Sequence, residues 1–426
     1  MNKDFFNYIE NRGFINQCTD DKGLKKTLES KSVGYIGFDC TSDSLHAGSL
    51  LPLMLLRNFQ RFGHKPIVLL GGGTTLIGDP SGKDETRKIL AEDEIASNKD
   101  KLMKVFKKFI SFNKSESNHA ILIDNYEWLG GLKYISFLRD IGSKFSINKM
   151  LSLESIKQRL SREQNLSFLE FNYSILQAFD FLELNKKFNC KVQFGGSDQW
   201  GNIISGIDLV KKVQKNEVFG LTTPLITTSA GTKMGKTASG AIWLSEDKLH
   251  PSSFWQYWRN TSDSDVIKFL MLFTEIDTDE INKFKILKGS DLNDLKIKLA
   301  NEITKLCHGE DKSKNAEAEA KKIVSKGIIN NEIIENCENK IKLKIEKINS
   351  GLSLKKILID LNLCKSNAES KRLISQGAVK INDSKILDKE TVVSKKFLIQ
   401  HPARNEDFYF VVYTGKNKFG VVELIT

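Results

Sequence analysis

The sequence predicts an α/β fold built on a parallel sheet, followed by a helical segment and a small α+β unit. Three observations carry this. Residues 33–39 (VGYIGFD) and 65–72 (KPIVLLGG) are continuous apolar runs, as expected of strands covered on both faces. Between them Leu50, Leu53, Met54, Leu56 and Phe59 recur at helical spacing, over a segment from about His46 to Phe62. Strand, helix, strand within about forty residues is a βαβ unit, right-handed by default.

Taken in order, the first strand ends in a polar turn, CTSDSL, and the helix follows it. The second strand runs into the glycines of GGGTTLIGDPSG. HAILIDN (119–125) and KVQFGGSDQW (191–200) read as further strands ending in polar loops, with residues 130–187 mostly helical between them. After Trp243 strand signals become rare, and 250–345 reads as helix, as in DLNDLKIKLANEITKLCHG. The stretch 310–350 is very charged, and its end near Ile348–Gly351 reads as a hinge. Residues 351–426 then form a compact unit of two short helices and several strand-like runs. The divisions expected are 1–245, 246–345 and 351–426.

Composition excludes several classes. With 426 residues, 40% hydrophobic and 27% charged, the chain is a multidomain globular protein rather than a disordered one. Apolar runs such as Leu50–Leu56 stop far short of a bilayer span, and MNKDFFNYIENRG has no apolar signal segment. Six scattered cysteines, with no C-x-x-C pair, argue for reduced thiols in a cytoplasm and against a zinc site or a disulfide framework. A net charge of +11 is compatible with an anionic partner such as nucleic acid.

Chemistry concentrates at the predicted strand ends. Strand 33–39 delivers Tyr35 and Asp39, and His46-Ala47-Gly48-Ser49 opens the helix behind it. A helix N-terminus there offers unpaired N–H groups to a phosphate, with Gly48 allowing a flat base close to the backbone. Asp79 precedes a proline, and Lys83 and Arg87 follow in a polar segment that lacks the G-K-[ST] of a P-loop. Tyr173, Gln177 and Asp180 lie at i, i+4 and i+7 on one helical face, as a pocket wall would. FGGSDQWGN adds a close-approach Gly195-Gly196 pair, Asp198 and Gln199. GTKMGKTASG places Lys233 and Lys236 three apart in a run with no apolar face to bury.

YIGFDCTSDSLHAGS, GDPSGKDETRK, NYSILQAFDF, GGSDQWGNI and GTKMGKT, in this order and spacing, resemble the bacterial tyrosyl-tRNA synthetases, class I aminoacyl-tRNA synthetases. The resemblance implies a Rossmann-like catalytic domain, with a helical insert at 130–190 forming a dimer interface and a mobile loop at 231–240. It implies that Tyr35 and Asp180 bond a substrate phenol, and that Asp79, Tyr173 and Gln177 hold its ammonium group. Gln199 lies near the carboxylate and Asp198 near the ribose, with Asp39, Thr41, Gly48, Ser49 and Gly196 completing the nucleotide cleft. His46, Lys233, Lys236 and Thr237 meet the triphosphate, assisted by Lys83 and Arg87. ATP enters as substrate with Mg2+, and no protein-bound metal is expected. Ser49 stands where these enzymes carry a second histidine, so a hydrogen bond can survive there but a cationic contact cannot.

The tail, SNAESKRLISQGAVKINDSKIL, resembles an S4-type RNA-binding domain. Residues 351–426 hold 13 Lys/Arg against 8 Asp/Glu, and Lys371, Arg372, Lys380 and Lys385 are the expected RNA contacts. The helical segment 246–345 is expected to bind the anticodon of tRNA(Tyr). The alternatives are a tryptophanyl-tRNA synthetase or nucleotidyltransferase of the same superfamily, and a non-catalytic RNA-binding paralogue. Asp180 opposite Tyr35 speaks against the former, and Asp79, Asp198, Lys233 and Lys236 against the latter.

Overall fold

The structure is a computed structural model that describes residues 4–79, 91–163, 166–227, 231, 234–237, 240–287, 289, 291–326, 334, 337, 339–349, 351–382, 384–402, 404, 406–415 and 418–425; for 236, 237, 322–326 and 349 it describes the backbone alone. The chain divides into two compact units, Met1–Glu310 and Asp311–Thr426.

Six strands form the sheet of the first unit: β1 (Gln17–Cys18), β2 (Val33–Phe38), β3 (Lys65–Leu70), β4 (Ile121–Asp124), β5 (Val192–Gly196) and β6 (Phe219–Thr223). Their order is β1-β6-β5-β2-β3-β4. From β2 the chain adds β3 and β4 on one side, then returns to place β5 and β6 on the other. The order therefore reverses between β2 and β5, the place where open α/β sheets form a crevice at their carboxyl ends. The pairs from β4 to β6 are parallel, with Val33 opposite Lys65 and Phe38 opposite Leu70. Two-residue β1 is antiparallel to β6, with Gln17 opposite Thr222, so the sheet is parallel except at that edge.

The apolar runs are buried as their composition requires. Ile67, Val68, Leu209 and Phe181 are almost wholly inaccessible, and helix Leu50–Arg61 turns Leu50, Leu53, Met54 and Phe59 into the core. Helix Phe168–Phe188 starts at a capping box, Ser167 with Glu170, and ends at Asn189 in the left-handed conformation. The strand read within 191–200 ends at Gly196, and its polar end is a 3-10 turn, Ser197–Gln199, leading into helix Trp200–Gln214. One expected boundary shifts. The helix read from His46 opens as a 3-10 turn, Ala47–Ser49, with His46 as its N-cap.

The second unit is a sheet ordered Ser384–Ile386, Val379–Ile381, Phe408–Thr414, Lys418–Ile425, Lys340–Lys344, covered by helices Leu354–Asp360 and Asn367–Ser375. Its core gathers Leu354, Ile357, Leu358, Ile374, Phe410 and Val412. Strand Lys340–Lys344 pairs in parallel with the last strand, and Ile348 is buried in the same core. Residues 340–351 thus belong inside this unit, and the hinge read near Ile348–Gly351 is corrected to the boundary after Glu310. The alternation K-I-K-L-K is a period-2 signal hidden within a lysine-rich stretch.

One buried cation joins distant parts of the first unit. The Arg12 side chain, 2% exposed, donates from Nε to the Met271 carbonyl at 2.5 Å and from Nη1 to Ile276 at 2.7 Å. Its Nη2 donates to Leu270 and Thr274 at 3.0 and 2.6 Å. These are carbonyls at and beyond the end of helix Val266–Phe273, where the helix dipole is negative. Arg12→Met should lower stability by about 3 kcal/mol or more, read as a drop in the urea midpoint, because several buried carbonyls lose their donors together. Arg12→Lys should recover only part of this, since an ammonium cannot reproduce the planar fork.

Candidate active site

A cavity of about 450 Å³ opens beyond the carboxyl ends of β2 and β5. All six residues expected at the amino acid line it: Tyr35, Asp79, Tyr173, Gln177, Asp180 and Gln199. Asp39, Thr41, His46, Gly48, Ser49, Gly196 and Asp198 line it as well. Lys83, Arg87 and Lys233 lie outside the described residues, and Lys236 and Thr237 are described only as a two-residue strand paired with Gly240–Ala241.

The closed end is built around one carboxylate. Asp180, 2% exposed, accepts hydrogen bonds from Trp128 Nε1 at 2.8 Å and Asn125 Nδ2 at 3.0 Å. Asn125 is itself fixed, its Oδ1 accepting from the Gly73 amide at 2.8 Å and its Nδ2 donating to Thr74 Oγ1 at 2.9 Å. Burial pushes the Asp180 carboxyl up from 3.8 to about 7, against the pull of both donors. Tyr35, on β2, is 1% exposed, and its hydroxyl has no hydrogen-bond partner among the described residues. Burial first, and the Asp180 charge second, push that phenol well above its ordinary range. A carboxylate that accepts and a neutral hydroxyl that donates or accepts together match a ligand group able to do both, which is a hydroxyl.

A second cluster sits where β5 meets its 3-10 turn. Gln199 Nε2 donates to Asp79 at 2.8 Å and to Asp198 at 3.2 Å. Asn202 Nδ2 donates at 3.1 Å to both Gln199 Oε1 and Gln177 Oε1. Two carboxylates bridged by one amide leave a region rich in acceptors, suited to an ammonium group. Here sequence reading missed Asn202, as it missed Asn125 and Trp128 at the other cluster.

The third cluster joins the two motifs expected at a triphosphate. His46 Nδ1 accepts from the Gly48 amide at 3.0 Å, so the neutral ring carries its hydrogen on Nε2. The backbone from Leu45 to Ala47 is laced to the far side of the lysine segment by Ala47 N to Ile242 O at 2.7 Å and Leu244 N to Leu45 O at 2.8 Å. A Cβ at Gly48 would stand 2.8 Å from the Met234 carbonyl oxygen, and one at Gly235 would stand 2.7 Å from the Gly48 nitrogen. Gly235 also takes a φ of +97°. Gly48 of HAGS and Met234–Gly235 of KMGK therefore pack backbone to backbone.

In the second unit Lys371, Arg372, Lys380 and Lys385 are all exposed. Lys380 and Lys385 are directly opposed across paired strands, an arrangement that costs stability unless an anion offsets it. Among the described residues no group of three or more His, Cys, Asp or Glu could hold a metal ion, and no helix is long and apolar enough to cross a membrane.

A nucleotide-sized crevice at a sheet switch point, flanked by HAGS and KMGKT, is the arrangement of a class I aminoacyl-tRNA synthetase. Residues 26–325 match the family model for class I tRNA synthetases (W and Y), and the chain belongs to that family. Residues 332–422 match the tyrosine--tRNA ligase SYY-like C-terminal domain. The chain is 49% identical to the tyrosine--tRNA ligase of Rickettsia massiliae over 93% of its own length and 95% of the relative's. It is 51% identical to that of Zymomonas mobilis, covering 92% and 93%. Among solved structures, a C-terminally truncated mitochondrial tyrosyl-tRNA synthetase of Aspergillus nidulans superposes with a TM-score of 0.68 at 29% identity, covering 75% of this chain and 94% of that one.

The donors on Asp180 set a pH dependence. Because the folded carboxyl holds its proton up to about 7, against 3.8 ordinarily, its contribution to stability is lost as pH rises through about 7. The Trp128 indole favours the ionised form and limits this loss. Trp128→Phe, which keeps a ring but no donor, should cost about 1–3 kcal/mol at pH 8 and distinctly less at pH 5. Urea melts at the two pH values measure the difference; an equal cost at both would assign Trp128 to packing alone.

Proposed function

We propose that the protein activates L-tyrosine with ATP to tyrosyl-adenylate and pyrophosphate, then transfers tyrosine to the 3′ end of tRNA(Tyr), as a tyrosine--tRNA ligase does. The observation that carries this is the buried Asp180 carboxylate within electrostatic reach of the Tyr35 hydroxyl at the closed end of the cavity. The substrate phenol donates to Asp180 and accepts from Tyr35. Phenylalanine would leave the Tyr35 hydroxyl buried without a partner and Asp180 with only Trp128 and Asn125 to offset its burial. The tyrosine--tRNA ligases to which the chain is similar over nearly their whole length support the same reading.

Asp79, Tyr173 and Gln177 hold the ammonium group, Gln199 lies near the carboxylate, and Asp198 binds the ribose. Asp39, Thr41, Gly48, Ser49 and Gly196 shape the nucleotide cleft, and His46 donates to the phosphates. In the first step a tyrosine carboxylate oxygen attacks the α-phosphorus, and the bond to pyrophosphate breaks with its electron pair on the leaving oxygen. Lys233, Lys236 and Thr237, with Lys83 and Arg87, neutralise charge as it develops there, and no covalent enzyme intermediate is required. Mg2+ enters with the ATP phosphates and adds to that neutralisation.

The helices between residues 246 and 310 serve in anticodon binding, and the second unit, with 351–426 resembling an S4-type RNA-binding domain, sets Lys371, Arg372, Lys380 and Lys385 on the phosphate backbone. The protein works as a cytoplasmic homodimer through the insert at 130–190. There Ile135 is 74% exposed, Phe168 70% and Tyr134 61%, an apolar surface that a monomer would leave in water.

Exchange of pyrophosphate into ATP, assayed with each of the twenty amino acids, tests the reading. Tyrosine alone should support it efficiently, with phenylalanine slower by at least about a hundred-fold in kcat/KM. Efficient exchange with tryptophan, or with none of them, would reject it. Lys236→Ala should slow single-turnover adenylate formation by about two to three decades while leaving tyrosine binding nearly unchanged, since its contact is made with charge that develops in the transition state. A parallel loss of tyrosine affinity would place Lys236 in the amino-acid pocket instead.

A further inference from the structure

The turn leading from β2 to the HAGS motif is held by side chains rather than by its own backbone. The Phe38 carbonyl accepts from the Gly71 amide at 2.9 Å, and the Leu45 carbonyl from the Leu244 amide at 2.8 Å. Between them, residues 40–43 make no backbone-to-backbone hydrogen bond among the described residues. Cys40 is instead gripped at both of its polar groups. Its amide donates to Thr75 Oγ1 at 3.0 Å, and its carbonyl accepts from Asn98 Nδ2 at 2.9 Å. Cys40 is wholly buried, and Thr75 and Asn98 nearly so. Asp39 and Thr41, on either side of it, line the cavity, whereas Cys40 does not. The far end of the turn is tied nearer the surface, where Asp43 meets Lys101 and Lys248 at 3.0 and 2.5 Å. Ser44 Oγ donates there to Ser245 Oγ at 2.7 Å. Ion pairs that water reaches contribute little. At the cavity end, the buried contacts of Cys40 set the path of the chain.

Asn98 belongs to helix Glu92–Phe109, which serves as an external frame. Its Ile95, Leu102, Val105, Phe106 and Phe109 are buried, and the Phe106 ring meets Phe38 of β2 at 4.9 Å between centroids. Lys101 and Lys108 follow Asn98 at helical spacing on the same face. Lys108 Nζ donates to the Leu244 carbonyl at 3.1 Å, so the helix also backs the strand segment that pairs with Leu45. We propose that Asn98, with Thr75, is a positioning residue for adenylate formation: by fixing the two polar groups of Cys40 it sets where Asp39 and Thr41 meet the nucleotide. A buried carbonyl that loses its donor is costly, so the chain without Asn98 favours conformers that turn the Cys40 carbonyl toward water. That rotation carries Asp39 and Thr41 off their places in the cavity wall. Neither Asn98 nor Thr75 lines the cavity, so both act through the turn and touch no reactant.

The inference rests on reading the cavity as the seat of tyrosine activation, which exchange by the wild-type chain measures separately. In the full-length protein, Asn98→Ala removes the donor to Cys40, and Thr75→Val removes the acceptor with almost no change of shape. Each should lower kcat/KM for ATP in tyrosine-dependent pyrophosphate exchange roughly three- to ten-fold, the worth of one neutral hydrogen bond. The Kd for tyrosine, by equilibrium dialysis, should stay unchanged. Thr75→Ser, which keeps the hydroxyl, should recover most of the loss seen in Thr75→Val. If Asn98→Ala fails to fold, the two Thr75 variants carry the test. Wild-type kcat/KM for ATP in either folded variant overturns the proposal. So does a matching loss of tyrosine affinity, the mark of a general structural role. A Thr75→Ser enzyme as slow as Thr75→Val overturns it too, by assigning the loss to shape.

Discussion

A carboxylate buried to 2% exposure is expensive, and the fold around the cavity is arranged to keep Asp180 there. Trp128 and Asn125 both donate to it, Asn125 is locked by the backbone after β3, and Tyr35 stands at its side from β2. Three elements meet here: Tyr35 comes from a strand, Trp128 and Asn125 from the turn after β4, and Asp180 itself from a helix whose start is fixed by a capping box and a buried Arg159–Glu170 pair. Satisfying this one group therefore sets the relative placement of β2, β3, β4 and the long helix. The result is poised rather than settled. The donors offset only part of the cost of burial, and in the function proposed a substrate hydroxyl relieves the remainder.

The rest of the cavity follows a different logic. Around Asp79, Gln199, Asp198, Asn202 and Gln177, hydrogen bonds run from amide to carboxylate and amide to amide, so the polar groups orient one another before any ligand arrives. At the HAGS and KMGK segments orientation is achieved with almost no side chains. Two glycines let backbones approach to a distance that any Cβ would forbid, and backbone hydrogen bonds fix the register. In the function proposed, discrimination of the amino acid rests on buried side chains, and handling of phosphate on backbone geometry with lysine charges added. This division matches the chemistry. A phenol is distinguished by one oxygen, whereas a triphosphate presents many equivalent ones.

Much of this was legible in the residues. The runs at 33–39 and 65–72 gave strands because parallel strands buried on both faces need continuous apolar sequence. Tyr173, Gln177 and Asp180 declared a shared face through helical spacing. What stayed hidden lacks local period. Trp128 and Asn125 lie more than fifty residues before Asp180 in a short turn, where an indole and an amide read as ordinary packing and capping groups. The two-residue strand β1 is too short for any alternation, and its pairing with β6 is a tertiary fact. Lys340–Lys344 did alternate, but its lysines disguised a strand as part of a charged helical stretch.

Arg12 and β1 also bear on how the chain is made. The guanidinium finds its acceptors 258 to 264 residues later, and Gln17 pairs with Thr222. During synthesis at about 5–20 residues per second, the first helix waits on the order of ten to fifty seconds before Ile276 emerges. Until β6 is made the amino-terminal segment lacks its edge partner, and until Ile276 follows it lacks its complete buried anchor. Phe5, Phe6 and Ile9, which end wholly buried, have only the helix Leu50–Arg61 and its surroundings to cover them early. The first unit therefore closes from its end back to its beginning. The helix Phe5–Asn11 is made long before the carbonyls that secure Arg12 beside it, so a nascent chain stalled before residue 270 would lack that anchor.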